Sequence, residues 1–203
     1  FAFSSELLRI SFMNISFIIP ARNEEANIGR AIEEILKQPA EIVKEIIVVD
    51  NGSADRTREI AASYPKVKVL IESEPGTNLA RQKGFLAATG DVVAFIDADN
   101  WVPKNWSETA FKYLSRKNVV GVSGPYHYRD QGPIGKFVTF WAFLVFAYPV
   151  YFFVHYILRA GSIVLGGNVA ARRDALVKVG GLDTKFKFFG DDVNTGKRLR
   201  KVG

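Results

Sequence analysis

"DVVAFIDADN", residues 91–100, sets five consecutive apolar side chains ahead of two aspartates. A short apolar run bounded by polar residues reads as a strand buried on both faces, as in parallel sheets. Asp97 and Asp99 stand at i, i+2, which in extended backbone places both carboxylates on one side. Two carboxylates converging at a strand end repel each other unless a cation intervenes. Mg²⁺ or Mn²⁺ held by one or two carboxylates, with water and a substrate phosphate completing the shell, is the usual solution. The plainer alternative is a polar turn after the strand, with Asp99 and Asn100 in an Asx-type turn.

Working outward, strand and helix signals alternate. "ISFIIP" (15–20), "EIIVVD" (45–50) and "VKVLIE" (67–72) are short β-branched runs. Between them, "EEANIGRAIEEILKQ" (24–38) has helical spacing at Ile28, Ile32, Ile35 and Leu36. "SADRTREIAASY" (53–64) opens on an N-cap candidate, Ser53, or Asp55 shortly after it. "TNLARQKGFLAAT" (77–89) is a third helix, and the acidic strand follows it. Repeated strand–helix–strand units of this length predict an α/β fold with a mostly parallel, doubly wound sheet and helices on both faces. Ligands bind such sheets beyond the carboxyl ends of the strands. There the sequence reads "PARNEE", "DNGS" and "DADN". Neither GxGxxG nor a P-loop is present, which removes the usual support for a dinucleotide or P-loop ATP site.

The 203 residues fit one domain, and 48% hydrophobic with 24% charged residues excludes a disordered chain. With no cysteine, neither a disulfide framework nor a thiol nucleophile is available, and the two histidines, His127 and His155, lie far apart. A net charge of +6 suits an anionic membrane surface, a nucleotide diphosphate or nucleic acid, and selects none of them. Nucleic acid is not expected, because only that charge and "KRLRK" (197–201) would support it. Residues 1–12 precede the only methionine, Met13, and read as an upstream extension outside the domain. The closing "KRLRKVG" stops within a helical pattern, so the natural protein is expected to be longer.

In their order, "FIIPARNEE", "IIVVDNGSADRT" and "NLARQKGFLAATGDVVAFIDADN" resemble the family 2 glycosyltransferases, which have the GT-A fold. The resemblance runs from about Ile15 to the end of the chain. It implies one catalytic domain over 13–203, with a nucleotide- and metal-binding half (13–103) and an acceptor half (104–203). It further implies a nucleotide-diphospho-sugar donor held by Pro20, Ala21, Asn23 and Glu24, by Asp50, Gly52 and Ser53, by Arg81, and by Asp97 and Ala98. Asp99 with Asp97 would ligate Mn²⁺ or Mg²⁺. "GSIVLGGNVAARRDALVKVGGLD" (161–183) resembles the family's acceptor-side segment, placing Gly166, Gly167 and Asn168 beside the donor sugar. "FFGDDVNTGKRLR" (188–200) resembles its acidic motif, here Asp191–Asp192 in place of Glu-Asp. The second acid corresponds to the general base of inverting members, a role that falls to Asp192. Read as residues alone, Asp50 also suits a capping turn, Arg81 a solvated helix position, and Asp191 and Asp192 a helix N-terminus. A retaining GT-A transferase and a non-catalytic sugar-nucleotide-binding domain on a membrane are the competing functional readings.

"FVTFWAFLVFAYPVYFFVHYIL", residues 137–158, carries no charge. As a continuous helix it would be about 33 Å long, enough to cross a bilayer. It lies between the acidic turn and Asp192, however, and a single crossing would part them by about 30 Å, making a shared site impossible. Pro149 predicts a break. The expectation is a monotopic membrane contact or a partner interface, with Trp141, Tyr148, Tyr151 and Tyr156 at headgroup level. A core helix is the alternative. A lipid-linked or glycan acceptor, and a location on the cytoplasmic side of the membrane, would accompany membrane contact.

Overall fold

The computed structural model describes residues 13–124, 132–153, 157, 166–188 and 191–203. The expectation for residues 1–12 therefore lies outside the described residues, as do Tyr156 and the side chains of Tyr151 and Asp191. Six strands form one sheet in the order β3-β2-β1-β4-β6-β5. They are β1 (Ile15–Ala21), β2 (Val43–Asp50), β3 (Val67–Ile71), β4 (Val92–Ile96), β5 (Gly121–Ser123) and β6 (Asn168–Arg172). The first four run parallel, while β6 lies antiparallel to β4 and to β5. Two antiparallel pairings were not legible in strand patterns this short.

Alternating side chains of the parallel strands feed two apolar layers. Phe17, Ile19, Ile46, Val48, Ala94 and Ile96 meet α1 (Ile28–Leu36), α2 (Thr57–Ala62) and α4 (Trp106–Leu114) on one face. Ile18, Ile47, Val49, Val93 and Phe95 meet α3 (Thr77–Ala87), α7 (Arg173–Lys178) and α8 (Asp191–Leu199) on the other. The α1 residues Ile28, Ile32 and Ile35 are fully buried, as their helical spacing requires. Ser53 does not cap α2, which begins at Thr57; the Asp55 carboxylate accepts from the Thr57 N–H and hydroxyl instead, at 3.0 and 2.5 Å.

The apolar segment forms α5 (Pro133–Ala142), a π-helical turn (Phe143–Ala147) and α6 (Tyr148–Phe152). The expected break at Pro149 is not seen; the helical run changes from α to π at Phe143 and back to α at Tyr148, one residue ahead of the proline. None of the segment's described side chains joins either apolar layer. Phe137 and Phe146 are 65% and 70% exposed, so among the described side chains the segment is not buried as a core helix would be. Among the described residues no helix is long and apolar enough to cross a membrane.

Below the sheet, the Glu45 carboxylate accepts from Ser16 Oγ at 2.7 Å, Thr89 N–H at 2.8 Å and Thr89 Oγ1 at 2.7 Å. Burial works against its charge, but the hydrogen bonds from Thr89 and Ser16 win and hold the carboxyl below its ordinary range. A depressed folded-state pKa stabilises the fold above the unfolded value, about 4.3, and that stability is lost as pH falls through the folded value. Glu45→Gln should cost about 1–2 kcal/mol in urea unfolding at pH 7. The gap to the wild type should close as pH falls below the unfolded-state value.

Candidate active site

The carboxyl ends of β1, β2 and β4 open into a cleft of about 240 Å³ lined by Pro20, Ala21, Glu24, Asp97, Ala98 and Asp99, with Arg22, Asn51, Thr77 and Phe188. The chain reaches this shape through side chains that satisfy the backbone of neighbouring loops. Asn23 sits in the left-handed region at φ 56°. Its N–H donates to Ser53 Oγ at 3.0 Å, and its Oδ1 accepts from the Ala54 N–H at 2.8 Å. Glu24 N–H donates to Thr57 Oγ1 at 2.7 Å. Asp50 is buried at the end of β2 and accepts from the Ser53 N–H at 3.3 Å, across a turn in which Gly52 takes φ 75°. Asn23, Asp50, Gly52 and Ser53 thus shape the loop beside the cleft, and Pro20, Ala21 and Glu24 form its wall.

Asn51 was not singled out in the sequence. It is buried, donates from Nδ2 to the Glu72 and Glu74 carbonyls at 3.0 and 2.8 Å, and accepts from the Gly76 N–H at 2.8 Å. A polar side chain directly after a buried strand was the available signal. Phe188 carried none.

The acidic strand stops at Ile96, one residue before the first aspartate. Residues 97–100 form a turn, with the Asn100 N–H donating to the Asp97 carbonyl at 3.1 Å, so the carboxylates do not project from extended backbone. They nonetheless share the cleft and stand in different surroundings. Asp97 pairs with Arg81, Nη2 to Oδ1 at 2.8 Å, and the Arg81 guanidinium is nearly buried on α3. Asp99 is open to the cleft. Partial burial and the Asp97 carboxylate push its carboxyl above the usual range, and Arg30 partly offsets this.

The Gly166–Gly167 turn closes the site from the β6 side. The Gly167 carbonyl accepts from the Asp97 N–H at 3.0 Å and from Asn100 Nδ2 at 2.6 Å. A Cβ on Gly167 would overlap the Asp97 carboxylate, and one on Gly166 would meet Asp192 Oδ1 and Arg81 Nη1. Arg81, Asp97 and Asp192, more than a hundred residues apart at the extremes, are therefore brought to one turn, and Asp99 shares the adjoining cleft with Asp97. Asn168 instead turns to the opposite face of the sheet, where its Oδ1 accepts from Trp106 Nε1 at 2.8 Å.

The donor set at the cleft is carboxylate oxygen, which suits a hard divalent cation. Arg81 compensates Asp97, and a cation at Asp99 would relieve the repulsion that raises its carboxyl pKa. The residues fit Mn²⁺ or Mg²⁺ bound chiefly through Asp99, with Asp97 beside it.

The model of "Glycosyl transferase family 2" matches residues 16–180. The chain belongs to this family. Its mixed six-stranded sheet, with helices on both sides, is the GT-A fold. It is 36% identical over 116 residues to the glycosyltransferase AglE of Haloferax volcanii, across 54% of this chain and 38% of the relative. To the undecaprenyl-phosphate 4-deoxy-4-formamido-L-arabinose transferase of Pectobacterium carotovorum it is 43% identical over 117 residues, covering 53% and 36%. Among solved structures it resembles the mannosyltransferase PcManGT of Pyrobaculum calidifontis, in complex with GDP-Man and Mn²⁺. The TM-score is 0.70 at 25% identity, over 99% of this chain and 61% of that one. The chain thus matches between a third and two fifths of the length of these two curated relatives.

Because Gly167 packs directly on Asp97, Gly167→Ala should force the turn and the carboxylate apart at a cost of about 1–3 kcal/mol in urea unfolding. Stability equal to the wild type would mean that the turn yields freely.

Proposed function

We propose that this chain forms the catalytic domain of an inverting, metal-dependent glycosyltransferase that moves a sugar from a nucleotide-diphospho-sugar donor to an acceptor hydroxyl or phosphate. The observation that carries the reading is the meeting of Arg81, Asp97 and Asp192 around the Gly166–Gly167 turn, with Asp99 beside Asp97 in the adjoining cleft. A Mn²⁺-bound GDP-mannose complex of a protein with the same fold supports it.

The donor's nucleotide lies in the cleft between the β1 wall and the acidic turn. Glycines at 166 and 167 let the backbone come close to the donor sugar. Asp99, with Asp97 beside it, would hold the divalent cation, which would supply charge neutralisation at the departing diphosphate. Arg81, fixed in place by Asp97, adds a preorganised positive charge beside it. Asp192 takes the proton of the acceptor hydroxyl as its oxygen attacks the anomeric carbon. A single displacement, with the nucleoside diphosphate leaving opposite the attack, inverts that carbon.

The acceptor is lipid-linked and is met at a membrane surface, where its glycan or glycolipid product contributes to the cell envelope. The exposed aromatic surface of α5, the π-helical turn and α6 favours this reading, since contiguous apolar surface of that kind marks a membrane or partner site. So does the printed substrate of the Pectobacterium relative. A net charge of +6 suits the anionic cytoplasmic leaflet, where the protein would be peripheral or monotopic.

With GDP-mannose and UDP-glucose as donor probes, Asp99→Ala should weaken Mn²⁺-dependent nucleotide binding in calorimetry at least about tenfold. Asp192→Asn should leave that affinity unchanged and slow release of nucleoside diphosphate by about 10² or more. Near-normal turnover in Asp192→Asn would overturn the base assignment.

In flotation assays the protein should rise with anionic liposomes, and Phe137→Ser combined with Phe146→Ser should abolish this. A monomer that never floats would end the membrane reading.

A further inference from the structure

Asn78 lies one helical turn before Arg81 on α3 and is 1% exposed. Its Nδ2 donates to two carbonyls of one loop, those of Asp183 and Phe186, each at 2.8 Å. Its own N–H donates to the Lys187 carbonyl at 3.1 Å. One turn further along the same helix face, Gln82 Oε1 accepts from the Leu182 N–H at 2.7 Å. Residues 182–187 are thereby laid along α3 between two amide side chains. Four residues beyond Lys187, α8 opens with Asp191 and Asp192. Asn78, Arg81, Gly166 and Asp192 then line one small chamber of about 20 Å³.

We infer that Asn78 is a positioning residue for Asp192, resting on the proposal above that Asp192 is the general base. Helix α3 carries the cation facing the leaving group through Arg81 and, through Asn78, fixes the segment that delivers the base. The two ends of the displacement are thus held on one rigid element. Asparagine suits the task because a single planar amide offers two N–H groups, enough for two carbonyls of one loop. Serine or alanine at 78 would leave at least one of those carbonyls without its side-chain donor. The loop would then shift, and a base displaced by about 1 Å can lose about 10²-fold in rate.

The test uses Mn²⁺ with GDP-mannose or UDP-glucose, whichever binds, and water as acceptor. Nucleotide affinity is followed by calorimetry, release of nucleoside diphosphate as the rate, and thermal melting as the check on folding. Asn78→Ala should keep donor affinity within about twofold and lower the rate about 10–100-fold. Asn78→Ser, which retains one short donor, should fall between it and the wild type and serves if the alanine variant does not fold. The decisive measurement is the double variant with Asp192→Asn. If Asn78 acts through Asp192, Asn78→Ala should add no further loss in that background. Losses that multiply, or a donor affinity that falls in step with the rate, overturn the inference while leaving Asp192 as the base. Near wild-type turnover in Asp192→Asn alone overturns the base assignment itself.

Discussion

One carbonyl oxygen, that of Gly167, ties the acidic turn after β4 to the strand that returns beside it. It accepts from the Asp97 N–H and from the Asn100 amide. The antiparallel register of β6 sets Asn168 opposite Ile96, so Gly167 is level with Asp97 and leaves no space between them for a side chain. Arg81 reaches the same point from the helical layer on one face, and Trp106 fastens Asn168 from the other. A larger residue at 167 would displace the carboxylate, and with it the ion pair that holds Arg81 in place.

The ion pair itself is weak evidence for stability, since desolvating a guanidinium and a carboxylate offsets most of their attraction. Its consequence is geometric. Asp97 is neutralised by the protein, whereas Asp99 faces the cleft with its charge opposed by burial and by its neighbour. That leaves one carboxylate with an electrostatic demand that a cation would meet. The loops around it are rigid for a related reason. Asn23, Asn51, Gln38 and Glu34 each donate to or accept from the backbone of another segment. Satisfied polar contacts of this kind fix a single arrangement, because any other leaves a buried group unpaired.

The parallel sheet was legible because strands buried on both faces show uninterrupted apolar runs, and "FIIP", "IIVVD" and "VVAFI" are such runs. The acidic turn stood out as two carboxylates directly after such a run, a pattern that an ordinary polar turn shares. Strands β5 and β6 were not, since "GVS" and "NVAAR" are too short and too mixed to show a period. Ser53 misled because residue type marks a capping candidate without fixing which turn it serves; the loop spent its hydroxyl on Asn23 instead. Asn51 and Asn78 were missed for a common reason. Their partners are backbone carbonyls up to 108 residues away, and a carbonyl leaves no trace in sequence.

Length and composition alone make 137–158 a membrane-crossing helix, and chain connectivity is what forbids it. The chain leaves the sheet after Ser123 and re-enters at Asn168, and these neighbouring strand ends lie beside the acidic turn. The Gly124 N–H donates to the Asn168 carbonyl at 3.1 Å, which fixes both points of attachment at the cleft end of the sheet. A segment that starts and finishes on the same side of a site can rest on a surface without parting Asp97 from Asp192. The π-helical turn interrupts the α-helical hydrogen-bond pattern within this run, and among the described residues no helix is long and apolar enough to cross a membrane. Both attachment points of the segment, at Gly124 and Asn168, thus lie at the cleft end of the sheet. Under the proposed function, attachment at the cleft end suits an acceptor with an apolar tail for the membrane surface and a polar head for the site.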